Sequence, residues 1–208
     1  GFAAGGVYDP KSGMFLKLSH QIPEKVETNL AIKQILENEF KGERVITDDF
    51  PNSVAVGEML FGSAKRLNDF VLLQLENLKA AVVSNRTIFR GFGGYAGQVG
   101  TWRYGSDSLR VALLNRKYDN DIIIDFCINV LIAYAPEKII LSRENIPETV
   151  NLDLNTLNKH LNDKFTEYGF GEFVKEPLIL SKYGPEERAV GAAALVFDNY
   201  FNSNMLLM

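Results

Sequence analysis

The sequence predicts an α/β fold in which helices alternate with buried strands and β-hairpins. The segment DFVLLQLENLKAAVVSN contains two short apolar runs around a polar turn, which is typical of a hairpin of buried strands. In NLAIKQILENEF, the apolar residues lie near helical spacing and Gly42 follows them, which predicts a helix and its end. Strand-length apolar runs, KIILS and EPLILSK, stand beside helical patterns later in the chain.

The other elements follow in chain order. FAAGGVYDPKSGMFLKL predicts two strands around a turn at residues 9–13, because Asp-Pro and Ser-Gly are turn dipeptides. RVITDD predicts a short strand ending in two carboxylates, and NSVAVGEMLFGSAKRL predicts a helix capped by Asn52 or Ser53. RTIFRG predicts a further strand. Three more helices are predicted in DNDIIIDFCINVLIAYA, DLNTLNKHLNDKF and EERAVGAAALVFDNYF.

Composition limits the function classes. The chain has 208 residues, of which 46% are hydrophobic and 23% charged, as in globular proteins. A net charge of -4 argues against a broad nucleic-acid-binding face, which needs clustered Lys and Arg. The single cysteine, Cys127, cannot form an internal disulfide, and the apolar runs are too short to span a membrane. We therefore expect a cytoplasmic protein without a membrane partner.

Several motifs resemble those of the ROK family of sugar-responsive repressors and sugar kinases. GGVYDPKSG resembles the family's Gly-Pro-x-Asp-x-x-x-Gly turn, and VITDDFPNSVAVGEMLFGSAK resembles its Glu-Asn-Asp-x-Asn-Ala-Ala-Ala-x-Gly-Glu corner. RGFGGYAGQVG is similar to its Arg-Gly-x-x-Gly-x-Ala-Gly-Glu-x-Gly-His stretch. AYAPEKIILS and AVGAAALV are similar to two late segments of the family near the adenosine. The resemblance covers nearly the whole chain.

This resemblance implies the two-lobed actin-like ATPase fold, a ribonuclease H-like α/β architecture of the ROK type. The first strands of the N-terminal lobe would lie before Gly1, because the chain begins GFAAGG without an initiator Met and is expected to be a fragment. The first lobe would comprise about residues 1–66 and the C-terminal helix at 186–202. The second lobe would comprise residues 67–185.

The phosphate-binding motif of the family is not retained. ENLKAAV stands where family kinases have a Gly-Thr-Gly-x-Gly-Gly-Gly hairpin, whose backbone N–H groups approach phosphate closely. Glu76 adds an anion, and Leu78, Ala80 and Ala81 add Cβ atoms. Lys79 is expected to be solvated at the hairpin tip. We therefore predict no ATP or Mg²⁺ cofactor, unless the protein is a kinase with divergent motifs.

Two further family features are changed. Ser142, Arg143 and Glu144 stand where the family has glycines against the adenosine. The family's structural zinc site uses a His and several cysteines. In this sequence Thr101 replaces that His and GSDSLRV follows, so we predict neither zinc nor another metal.

The resemblance places a sugar beside the strand-to-helix corner. Asp48 and Asp49 either cap the helix there or contact the ligand, and both interpretations remain open. Gln98 replaces a sugar-binding Glu and can still accept and donate hydrogen bonds. The predicted ligand-binding residues are Asp48, Asp49, Asn52, Gly97 and Gln98. Alignment from Asn52 without a gap places Phe50 at the family's catalytic Asp, whereas a one-residue gap places Asp49 there.

The favoured hypothesis is a non-catalytic effector and dimerisation domain of a ROK-type transcriptional regulator of the N-acetylglucosamine-repressor type. It would respond to a sugar or sugar phosphate, form a homodimer or higher oligomer, and bind DNA only through a helix-turn-helix upstream of Gly1. One alternative is an ATP-dependent sugar kinase with Asp49 as the catalytic base. Another is a pseudo-kinase scaffold that binds no small ligand.

Overall fold

The structure is a computed structural model. It describes residues 1–18, 29–76, 78–116, 119–142, 153–171 and 175–205. The strands are β1 Phe2–Ala4, β2 Gly6–Asp9, β3 Met14–Leu18, β4 Thr47–Asp49, β5 Phe70–Gln74, β6 Lys79–Ser84, β7 Thr87–Phe89, β8 Arg103–Tyr104, β9 Asp107–Ser108, β10 Lys138–Leu141 and β11 Leu178–Leu180. The α-helices are α1 Ile32–Glu39, α2 Phe50–Phe61, α3 Leu109–Asn115, α4 Asn120–Tyr134, α5 Leu154–Glu167 and α6 Glu187–Met205.

A five-stranded sheet in the order β11-β10-β5-β6-β7 forms the centre of the larger part. The strands β5, β6 and β7 form an antiparallel meander, while β10 and β11 are parallel to β5. This arrangement confirms the α/β class and the hairpin that the sequence predicts.

Helices cover both faces of this sheet. Because successive side chains on a strand point to opposite faces, Val71 and Leu73 pack with α3, α4 and α5, whereas Phe70 and Leu72 pack with α2 and α6. The close crossing of α2 and α6 depends on Gly191, where an added Cβ would lie 2.8 Å from the Ser53 backbone. The sheet therefore fixes α2, and with it the corner at Asp48 and Asp49.

A smaller set of strands lies at the other end of α2. In it β1 is parallel to β4, with Ala4 opposite Asp49, and β2 pairs with β3 in a hairpin. Helix α6 contacts β1 and β4 as well as packing on the five-stranded sheet. The division of the chain into lobes at about residue 66 therefore stays a prediction.

Two sequence-based expectations about local structure differ from the observed elements. The prediction that Asn52 or Ser53 caps α2 is wrong, because the helix begins at Phe50 and Asp49 is its N-cap. Proline at the second helical position needs no intrahelical N–H partner, so Pro51 does not delay the helix. The short helix α3 and the β8–β9 hairpin were not predicted, because segments this short show little periodicity. Among the described helices, none is long and apolar enough to cross a membrane.

Candidate functional site

The corner between β4 and α2 brings Asp48, Asp49 and Asn52 together. Asp48 is 2% exposed, and its Oδ1 accepts hydrogen bonds from the Asp49 amide (2.8 Å) and from Asn52 Nδ2 (3.0 Å). Asp49 is 4% exposed, and its Oδ1 accepts a hydrogen bond from the Asn52 amide at 3.1 Å. Both carboxylates thus stabilise the start of the helix, as the capping interpretation predicts.

Arg90 completes the surroundings of Asp48. Its guanidinium donates to Asp48 Oδ2 in an ion pair. Both oxygens of Asp48 therefore have protein partners, and a ligand could contact Asp48 directly only in addition to these partners. Asp48 is better suited to orienting Asn52, whose side chain it holds.

Asp49 has an unusual protonation equilibrium. Burial raises the pKa of its carboxyl group to about 7, and the neighbouring Asp48 charge adds to the increase. Lys79, the hydrogen bond from Asn52 and Arg90 act in the opposite direction. Near neutral pH, Asp49 therefore exchanges between a carboxylate and a carboxylic acid.

Lys79 lies inside the site, and the expectation of a solvated side chain is wrong. It is 6% exposed, and its Nζ donates to the carbonyl oxygen of Gly6 in β2 at 2.6 Å. Its charge also lowers the pKa of Asp49. The sequence shows a hairpin tip but not that the tip packs against β2, and this packing buries the ammonium group.

A second buried polar side chain stands opposite Lys79. Gln74 pairs with Lys79 in the β5–β6 register and is 4% exposed. Its Oε1 makes no hydrogen bond to any described part of the chain. A buried amide oxygen without a partner is costly, so it is an acceptor available to a water molecule or a ligand donor.

The glycine-rich stretch at 91–101 joins two parts of the site. At Gly97 φ is +80°, and an added Cβ would lie 1.8 Å from the Ala80 carbonyl oxygen. At Gly94 φ is +74°, and an added Cβ would lie 1.9 Å from the Tyr8 carbonyl oxygen. These glycines therefore allow the stretch to approach the backbones of β6 and β2.

The Gln98 side-chain amide is available to form hydrogen bonds with a ligand. It is half-buried and makes no side-chain hydrogen bond within the described segments. No described contact joins Gln98 directly to Asp49. The connection runs through the hydrogen bond from the Ala80 amide to the Gly97 carbonyl, 2.8 Å long, and through Lys79 next to Ala80. Trp102 packs against Phe126, with ring centroids 5.6 Å apart, and so belongs to the core.

The ends of β10 and β11 hold a buried carboxylate that the sequence did not reveal. Glu187, the first residue of α6, is 1% exposed and accepts hydrogen bonds from the hydroxyl groups of Ser142 and Ser181. Ser142 is one of the three residues for which the resemblance implies glycines in the family, while Arg143 and Glu144 lie outside the described residues. Hydrogen bonds within the protein therefore connect these strand ends to the start of α6.

Phe50 is buried in the core between α2 and α6. The guanidinium carbon of Arg188 lies 4.6 Å from the centre of its ring. If the gap-free alignment holds, the position of the catalytic carboxylate is occupied by an aromatic ring. In the part of the chain that the structure describes, no group of three or more His, Cys, Asp or Glu residues could hold a metal ion. The expected absence of zinc stays a prediction.

No family model matches the sequence, and a comparison with curated proteins finds no match. Solved structures do match the fold. A ROK family transcriptional regulator, a homologue of the E. coli MLC protein, has a TM-score of 0.68 and 16% identity over 93% of this chain and 60% of that chain. The ROK hexokinase from Thermus thermophilus has a TM-score of 0.67 and 19% identity over 93% and 76% of the two chains. A ROK family protein from Streptococcus pneumoniae, in complex with sucrose, has a TM-score of 0.69 and 13% identity over 97% and 80%.

The chain therefore has the actin-like ATPase fold. Within that class, its fold is the fold of ROK family repressors and sugar kinases, which confirms the resemblance at the level of structure. The chain spans 60% of the length of the regulator that it matches. Because repressors and kinases share this fold, the fold alone does not assign an activity to the chain.

Proposed function

We propose that this chain is the non-catalytic, sugar-responsive effector and dimerisation portion of a ROK-type transcriptional regulator. The observation that carries the proposal is the position of Lys79. The hairpin that binds phosphate in family kinases here carries a lysine whose ammonium group is buried against Gly6 and near Asp49. Where family kinases have glycines, this hairpin therefore carries the buried ammonium group of Lys79.

This arrangement is unfavourable for phosphoryl transfer. That reaction depends on positioning the phosphates and on stabilising their charge with backbone N–H groups and metal ions. At the hairpin, Leu78 and Lys79 are buried side chains in the stretch that would have to approach the phosphates. At the ends of β10 and β11, where the resemblance places the adenosine, Glu187 instead accepts hydrogen bonds from Ser142 and Ser181 within the protein.

Sugar recognition would use the groups that remain available. Gln98 can donate and accept, Gln74 Oε1 can accept, and Asn52 is oriented by Asp48. Asp49 and Gly97 would complete the site. A sugar or sugar phosphate bound there would favour one arrangement of β2, α2 and the glycine stretch, and would transmit this preference through a homodimer to DNA-binding units elsewhere in the full-length protein.

One observation favours the sugar kinase as a second candidate. The pKa of about 7 at Asp49 suits a general base that takes a proton from a sugar hydroxyl. Such an enzyme would need ATP and Mg²⁺ bound by groups other than the substituted hairpin.

Calorimetry of the full-length protein against a panel of sugars and sugar phosphates, with and without Mg-ATP, separates these functions. We expect heat from one sugar ligand, none from Mg-ATP, and no ADP formed. We expect Lys79→Met to disturb sugar binding, because it removes the cation beside Asp49, whereas the exposed Lys65→Met should not. Binding and turnover of ATP would refute the proposal in favour of the kinase. The absence of any sugar binding would support a scaffold.

A further inference from the structure

A polar cavity of about 210 Å³ lies along β4, between the β2–β3 hairpin, α1 and the second half of α6. Of the candidate sugar-binding residues only Asp48 lines it, on the side of Arg90, whereas Asp49, Asn52, Gly97 and Gln98 do not. Three cationic side chains from different segments line it, namely Lys33 of α1, Arg44 between α1 and β4, and Arg90 after β7. A cavity that converges several cations from separate segments suits an anionic ligand.

These cations have unused capacity to bind an anion. Arg44 is exposed and forms no ion pair with a described residue. Lys33 Nζ lies 4.0 Å from Glu37 Oε1, which is a long separation for an ion pair. Arg90 pairs with Asp48, but its Nε is buried and has no hydrogen-bond partner in the described part of the chain.

The acidic residues on the cavity wall do not cancel this charge. Two carboxylates, those of Asp48 and Asp198, line the cavity together with the three cationic side chains. Asp48 already accepts from Arg90, Asn52 and the Asp49 amide. The wall therefore keeps an excess of positive charge.

Two hydroxyl groups add a hydrogen-bond donor to the same wall. Thr47 Oγ1 and Tyr8 Oη are hydrogen-bonded to each other at 2.8 Å, and both residues line the cavity. This contact uses only one of the two hydroxyl hydrogens, so the other remains available to a ligand oxygen. Burial raises the pKa of Tyr8 above its usual value, so its hydroxyl group stays protonated at neutral pH.

From this geometry we propose that the cavity is an anion site that binds a phosphate group through Lys33, Arg44 and Arg90. The phosphate group belongs either to free phosphate or to a small phosphorylated metabolite. Guanidinium groups match the oxygens of a phosphate with paired N–H donors, and the lysine adds a point charge. The inference does not depend on sugar binding at Gln98.

The bound phosphate is coupled to the corner at β4 and α2 through Arg90. This guanidinium is shared, because the Asp48 carboxylate also binds it. An anion that attracts Arg90 weakens its pair with Asp48, and Asp48 holds both Asn52 Nδ2 and the Asp49 amide. The site therefore influences the start of α2 through Asp48, the residue that it shares with the candidate sugar site, and such coupling is reciprocal.

Calorimetry of the full-length protein with inorganic phosphate at low ionic strength tests the site, with glucose 6-phosphate and glucose as further probes. We expect phosphate to bind and glucose not to compete with it. The double variant K33Q/R44Q should bind phosphate at least about tenfold more weakly, because two charge-assisted contacts are lost. The matched control R66Q/K159Q, which changes exposed residues elsewhere, should bind normally. Tighter binding of glucose 6-phosphate than of phosphate would identify a phosphorylated sugar as the source of the group.

The Asn52 side-chain amide signals in an NMR titration with phosphate report the coupling. We expect them to shift in the wild type and not in K33Q/R44Q. Absence of phosphate binding, or equal affinity in K33Q/R44Q and the wild type, overturns the anion site. Unchanged Asn52 signals at saturating phosphate overturn the coupling through Arg90. Gln98→Ala should leave phosphate binding intact, so failure of this proposal is distinguishable from failure of the sugar proposal.

Discussion

The two sides of the candidate site differ in how their polar groups are satisfied. The strand-end side, formed by Ser142, Ser181 and Glu187, is buried and hydrogen-bonded within the protein. The loop side, formed by Gly97 and Gln98, leaves the Gln98 amide without a side-chain partner among the described residues. Groups that already have protein partners contribute to stability, whereas groups without partners gain most from a ligand. The hydrogen bonds of the strand-end side therefore stabilise the fold, whereas the Gln98 side chain of the loop side is able to bind a ligand.

The largest expected effect comes from the strand-end side. Glu187→Ala should lower the free energy of unfolding by about 3 kcal/mol, because the buried Ser142 hydroxyl group loses its carboxylate acceptor and the Ser181 hydroxyl group keeps only the Tyr183 carbonyl oxygen. Urea unfolding measures the change, and the exposed neighbour Glu186→Ala is the matched control. A loss no greater than that of the control would show that this network does not stabilise the fold.

Asp49→Asn should produce an intermediate effect that depends on pH. The folded pKa of about 7 is above the ordinary value of 3.8, so the contribution of this group to stability is complete below about pH 4 and is lost as pH rises through 7. Asparagine retains the helix cap without the charge. Relative to the wild type, the variant should gain about 2.5 kcal/mol of stability between pH 5 and pH 8, because over this range the wild-type carboxyl group loses its proton more readily in the unfolded chain than in the folded one.

Urea unfolding of the wild type and Asp49→Asn at the two pH values measures this difference. Asp163→Asn, an exposed change on α5, should show no such pH dependence and serves as the control. If the Asp49→Asn difference were the same at pH 5 and pH 8, the raised pKa would be wrong.

The smallest effect on stability is expected at the loop side. Gln98→Ala should change the free energy of unfolding by less than about 0.5 kcal/mol, because the side chain has no protein partner to lose. It should nevertheless weaken binding of the sugar ligand by about tenfold, the value of one hydrogen bond to a buried hydroxyl group. Calorimetry measures the affinity, with Gln34→Ala on α1 as the control. Unchanged affinity would remove Gln98 from the proposed site.

The sequence was informative where local patterns decide structure. Apolar runs predicted the β5–β6 hairpin and the helices α1, α4, α5 and α6, because their periodicity reflects which side chains face the core. The glycine-rich stretch and the strand-to-helix corner indicated the ROK-type fold, and the site that they predict stays a prediction. The N-cap of α2 was misplaced because Asp, Asn and Ser are all suitable caps and stand within five residues of one another.

By itself, the sequence determined the α/β class, the order of most elements, and the absence of glycine from the turn between β5 and β6. Only the tertiary structure decided where the charges of the site lie. Lys79 is buried because the hairpin tip packs on β2, and Glu187 meets Ser142 because α6 returns to the ends of β10 and β11. Lys33 and Arg44 line one cavity with Arg90, which lies far from both in the chain. Such contacts depend on the packing of distant segments, which local spacing does not encode.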